Sequence, residues 1–120
     1  FPYLAEVLRL AGVKRNVWHL PSCQSVYYTK LGEVVSQGTP LLEGFEEIPK
    51  FDKEALVNAL GTDQAGNSTF MGFLNATWKA GIVSYEVDFE KRCVTYFGID
   101  GDSYLEEYPK VTIEGRPNDS

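Results

Sequence analysis

The chain is poor in the residues that most often carry chemistry. It has one histidine, one methionine and two cysteines in 120 residues, and 11 lysines and arginines against 17 aspartates and glutamates. With Cys23 and Cys93 far apart and only His19 beside them, zinc has no ligand set, and two cysteines in a chain this long make no disulfide framework, so two free thiols are expected. A net charge of -6 argues against nucleic acid, whose affinity comes largely from basic side chains neutralising phosphates. No apolar run approaches the roughly 20 residues that cross a bilayer, so no membrane partner is expected. There is no GxGxxG, GxxxxGK[ST], GxSxG or HExxH motif, which removes the common nucleotide, hydrolase and zincin readings and leaves no cofactor to assign. The start carries no signal-peptide pattern and opens on Phe1, which points to a trimmed N-terminus and a cytoplasmic protein.

What is present is hydrophobic patterning, 43% apolar and 13% aromatic, enough for one core at this length. The pattern repeats. A shift of 69 residues lays Ala11-Gly12-Val13 on Ala80-Gly81-Ile82, Tyr27-Tyr28 on Tyr96-Phe97, Gly32 on Gly101 and Phe1 on Phe70, with no gap. In each copy an amphipathic segment ends at Ala-Gly, where glycine can take the left-handed C-cap. A strand follows at once. In residues 82–89 the alternation puts Val83, Tyr85, Val87 and Phe89 on one face and Ser84, Glu86 and Asp88 on the other. Residues 92–98 form the next strand, and Asp100-Gly101 signals a hairpin into residues 103–107. Copy one runs likewise through strands at 13–20, 25–29 and 33–36.

The expected fold is therefore α+β: two tandem repeats, each a helix plus a three-stranded antiparallel meander, packed as one domain over residues 1–113. Repeat one spans 1–36, a linker 37–50 carries Gly38, Pro40, Gly44 and Pro49, and repeat two, with an extra helix over 51–60, spans 51–113. A loop is expected at 63–68 and a flexible tail at 114–120. Since repeat one lacks the leading helix, another is expected upstream of Phe1.

Certain residues also resemble a family. Asp63-Gln64-Ala65-Gly66, Lys79 to Asp88, Arg92 to Gly98 and Gly101 to Pro109, with Phe1-Pro2 through Val13-Lys14-Arg15 to Tyr27-Tyr28, resemble the YbcV-like family of small bacterial proteins of unknown function. Members are often labelled phage envelope proteins. The resemblance covers nearly the whole chain, implies the fold, and brings no activity with it. Where that pattern places an acidic residue after the first strand's aromatic position, this chain has His19.

His19 stands on Asp88 under the 69-residue shift. If the copies pack about a two-fold axis with equivalent positions facing, the two form an acid-base pair, the candidate catalytic residues. The polar strand face, with Arg15, Ser84 and Glu86, and tyrosines such as Tyr28 and Tyr96 lining it, is the candidate ligand site if helices cover one side of the sheet only. The competing reading is a solvated face with the tyrosines as core and cross-strand pairs. Cys93 is expected as a buried small hydrophobe and Cys23 as the more accessible thiol. Alternation sends Glu106 and Glu107 to opposite faces, so they make no metal site.

Three functions stay open. The first is a module binding a small molecule or partner. The second is a small cofactor-independent enzyme, a cyclase, isomerase or hydrolase with a cleft between the repeats, and the third a phage-related structural or assembly protein. A small-molecule ligand and a homodimer are the partners left open, the latter because unpaired outer strands can join between chains.

Overall fold

The computed structural model describes residues 2–42 and 47–111. Phe1, Gly44 and the tail expected at 114–120 lie outside them. The elements run α1 (Pro2–Leu10), β1 (Val13–His19), β2 (Gln24–Thr29), β3 (Gly32–Gln37), α2 (Lys53–Gln64), α3 (Phe70–Lys79), β4 (Ile82–Asp88), β5 (Cys93–Gly98) and β6 (Ser103–Glu107). All six strands form one antiparallel sheet in the order β3-β2-β1-β4-β5-β6.

The local chemistry accounts for the element ends. The Asp52 side chain accepts from the Ala55 N–H at 3.1 Å, and Thr69 does the same for the Gly72 N–H at 3.0 Å, so both helices start at capped residues. Helix α2 corrects the expected boundary: it continues past Leu60 to Gln64, through Gly61 and into the expected loop. There the Thr62 hydroxyl donates to the Asn58 carbonyl at 3.0 Å and the Ala65 N–H to Gly61 at 3.0 Å, so the backbone keeps its partners despite the glycine.

The core lies between the helices and one face of the sheet. Ala5, Leu56, Leu60, Phe73, Leu74 and Trp78 from the helices meet Tyr85, Val87, Val94 and Tyr96 from the strands. The alternate positions, Ser84, Glu86, Asp88, Thr95 and Phe97, are half-buried or exposed, so the second face of the sheet is uncovered among the described residues. One expected core residue departs from this alternation. The β4–β5 register shifts between Ile82 and Ser84, so Ile82 is fully buried while Val83 is only half-buried and borders Ser84 and His19.

Candidate functional site

The uncovered face gathers most of the candidate residues. Across the β1–β4 ladder Arg15 pairs with Asp88, Val17 with Glu86 and His19 with Ser84, and on the other side of β1 Arg15 pairs with Tyr28. Residues directly opposed in an antiparallel pair share a face. Arg15, His19, Ser84, Glu86, Asp88 and Tyr28 therefore project together, away from the helices.

The centre of this face is an ion pair. Arg15 Nη1 donates to Glu86 Oε2 at 2.9 Å, and its guanidinium lies 4.2 Å from the centroid of the Tyr28 ring. Both charged side chains are partly exposed, so the pair contributes little stability, about 0–1 kcal/mol, and chiefly orients the two groups. At one end of the face, His19, Pro21, Ser22, Gln24, Val83 and Ser84 line a shallow depression of about 410 Å³.

The expected His19–Asp88 pair does not form. Val17 and Glu86, which are 69 residues apart, face each other, so a two-fold axis would pass there and only there bring equivalent positions together. His19 and Asp88 each stand two residues beyond that point on strands running in opposite directions. Four residue steps, roughly 13 Å along the ladder, separate them. Asp88 is occupied by structure instead: its Oδ1 accepts from the N–H groups of Glu90 at 3.0 Å and Lys91 at 2.9 Å, closing the β4–β5 turn. Asp88→Ala should therefore lower stability by about 1 kcal/mol, whereas His19→Ala should stay within about 0.5 kcal/mol of wild type. Thermal unfolding of both variants checks this, and equal losses would contradict the division of roles.

Tyr96 is the other correction. It opposes Tyr85 and Tyr104 on the helix-covered face, and its hydroxyl donates to Glu106 Oε1 at 3.1 Å. The strand's period of two puts it there, one residue from Phe97 on the open side. Gln64 Nε2 donates to the other Glu106 oxygen, so α2 is tied to β6 through this carboxylate. Burial pushes Glu106 above the ordinary carboxylate range and raises Tyr85 and Tyr96 strongly. No sequence pattern announces this network beyond the alternation that turns Glu106 inward and Glu107 outward. Beside it Trp18 stacks on Tyr85 with ring centroids 6.2 Å apart, and Phe70 meets Trp18 edge-on at 5.3 Å.

The two cysteines are free, and their expected environments are exchanged. Cys23 is buried at 3% exposure, its thiol donating to the Leu20 carbonyl at 3.6 Å, because the chain after β3 returns across the β1–β2 turn through the Gly38 N–H to Cys23 O bond. Cys93 opposes Asp88 and Glu107 on the open face and is half-buried. Burial raises both thiols, which disfavours the thiolate and with it nucleophilic use. A second concavity of about 650 Å³ lies between α2 and α3, lined chiefly by small side chains including Ala55, Ala59, Gly72 and Ala76. Among the described residues no three His, Cys, Asp or Glu side chains cluster as metal ligands, and no helix is long and apolar enough to cross a membrane.

These features define a small α+β protein with a one-sided antiparallel sheet and a polar, ion-paired open face. The chain belongs to the family described as protein of unknown function (DUF1398), which it matches over residues 43–108. It is also 50% identical over 115 residues to the uncharacterized proteins Rv2012 of Mycobacterium tuberculosis and Mb2035 of Mycobacterium bovis, a match covering 96% of this chain and 70% of theirs.

Proposed function

We propose that the protein is a non-catalytic binding module, built by internal duplication, whose working surface is the open sheet face and whose ligand is a small polar molecule held at the His19–Ser84 end. The observation that carries this reading is the unequal fate of two equivalent ends. At one, Asp88 is consumed by the turn; at the other, the His19 side chain has no hydrogen-bond partner among the described residues and borders the depression with Gln24 and Ser84. Those side chains offer hydrogen-bond donors and acceptors in a shallow apolar-edged setting, which suits recognition by hydrogen bonding.

The duplication is supported by backbone features that recur at the same 69-residue shift. Positive φ occurs at Gly12 and Gly81, at Cys23 and Arg92, and at Gly32 and Gly101. The Leu20 N–H donates to the Val83 carbonyl and the Phe89 N–H to the Lys14 carbonyl, both at 3.0 Å, and these two bonds exchange under the shift. Left-handed backbone at a non-glycine residue is uncommon, so two such residues at equivalent turns weigh more than apolar matches would. The enzyme reading loses its centre with the separation of His19 and Asp88. The assembly reading that accompanies the YbcV-like resemblance rests on a label alone.

A library of small polar compounds, screened by amide correlation spectra of the protein, tests this. Binders should shift His19, Gln24 and Ser84, and His19→Ala with Ser84→Ala should weaken them at least about tenfold. Shifts confined to the α2–α3 concavity would sink the reading.

A further inference from the structure

Under the 69-residue shift α1 stands on α3, and both helices pack on the same side of the sheet, each leading through a glycine of positive φ into its strand. Their sheet-facing residues agree: Ala5 and Leu74, equivalent under the shift, are both buried. Their outer flanks do not. In the second half α2 lies along α3, where Phe73 and Ala76 border the same cleft as Ala55 and Ala59 of α2, and Phe73 is 9% exposed. Its counterpart Leu4 is 56% exposed. Ala80, just past the end of α3, is fully buried, and the backbone of Lys50 and Phe51, on its way into α2, lies against Gly81 beside it. Ala11, the counterpart of Ala80, is exposed.

The uncovered flank of α1 is apolar. Tyr3, Leu4, Val7 and Leu10, with Ala11 just past the end, recur at the three- and four-residue spacing that keeps side chains on one side of a helix, and Tyr3 and Leu10 are 57% and 47% exposed. The two charged residues of α1, Glu6 and Arg9, are paired with each other at 2.6 Å. The stripe therefore offers a partner apolar surface and no free charge, which is what the apolar face of another helix packs against. A helix of nine residues is also too short to hold by its own backbone bonds, so its stability depends on what its flanks touch.

We propose that a helix equivalent to α2, from the stretch of a longer polypeptide that precedes α1, lies on this stripe. In the second half the lead-in, the helix and the connection to α3 take 18 residues, from Phe51 to Ser68. The match to the mycobacterial relatives takes up 115 residues and 70% of their length, which leaves roughly 50 residues of those proteins outside it, room for such a unit. Seated there, the helix sets small apolar side chains against Leu4 and Val7 as Ala55 and Ala59 stand towards Phe73 and Ala76, and its lead-in covers Ala11. Each half then has two helices over three strands. The open sheet face, and the ligand reading that belongs to it, are untouched.

Overlapping peptides spanning the parts of Rv2012 outside the match, titrated into the 120-residue protein and followed by amide correlation spectra and circular dichroism, test this. A peptide from the N-terminal side of the match should bind, gain helix on binding and shift Tyr3, Leu4, Val7, Leu10 and Ala11. Leu4→Glu should weaken it at least about tenfold while the free protein keeps the circular dichroism of the folded chain, and Leu105→Glu on the open sheet face should leave binding unchanged. No binding by any peptide at about 1 mM overturns the proposal, as does binding only by peptides from the C-terminal side of the match. A dimer of the 120-residue protein that sedimentation shows to be dissociated by Leu4→Glu also overturns it, because a second copy is then the occupant of the stripe.

Discussion

Gly81→Ala is expected to cost about 3–5 kcal/mol, against about 1–2 kcal/mol for Gly12→Ala at the corresponding turn of the other helix-strand junction. Both glycines have positive φ, +91° and +98°, so both replacements carry the strain of placing a Cβ on left-handed backbone. The difference lies in what the new methyl meets. At Gly81 it would come within 2.5 Å of the Lys50 carbonyl oxygen and 2.6 Å of the Phe51 Cα, backbone atoms held by the Asp52 N–H donating to the Ala80 carbonyl at 2.8 Å. At Gly12 it meets the Lys30 Cε at 3.1 Å, the far end of a flexible side chain that can swing away. Urea unfolding of the two variants measures the gap, and equal losses would refute the argument from Lys50 and Phe51. The gap matters beyond these two positions, because a domain with 5–15 kcal/mol in hand can absorb one such loss and not the other.

Much of this architecture is legible in the sequence because it is local. The Ala-Gly stops at Gly12 and Gly81, the Asp100-Gly101 turn and the alternation from Tyr85 to Asp88 each depend on a few neighbouring residues. The residues of the open face could be grouped for the same reason, since parity alone puts Arg15, His19, Ser84, Glu86 and Asp88 on one side. What could not be read is how the halves meet. The pairing of β1 with β4 joins residues about seventy positions apart, and nothing near His19 says that it will oppose Ser84 rather than Asp88. The register shift that releases Val83 is of the same kind, set by how Ile82 reaches the core. Cys23 is buried by a chain segment that returns after β3, so a residue beside a turn becomes more enclosed than one inside a strand.

The same central pairing underlies the second large effect. Phe89→Ala should cost about 3–5 kcal/mol, since its ring is 2% exposed and its loss leaves a cavity that rigid neighbours fill only in part. The open-face counterpart, Phe97→Ala, should cost under about 1 kcal/mol, its ring already lying partly in water. Phe89 follows β4 directly and donates its N–H to the Lys14 carbonyl, at one end of a ladder whose other end is closed by the Leu20 N–H to Val83. Five residue pairs, from Arg15–Asp88 to His19–Ser84, lie between those two bonds and join the three-stranded halves. Loosening either end should therefore be felt by both halves. Chemical unfolding of Phe89→Ala is expected to remain a single transition, with amides of β1 and β4 losing hydrogen-exchange protection together. If β4–β6 opened first while β1–β3 kept its protection, the halves would be independent units. Neither half has the means for that: each three-stranded meander leaves one face in water, and β1 and β4 each bury their flank only by pairing with the other.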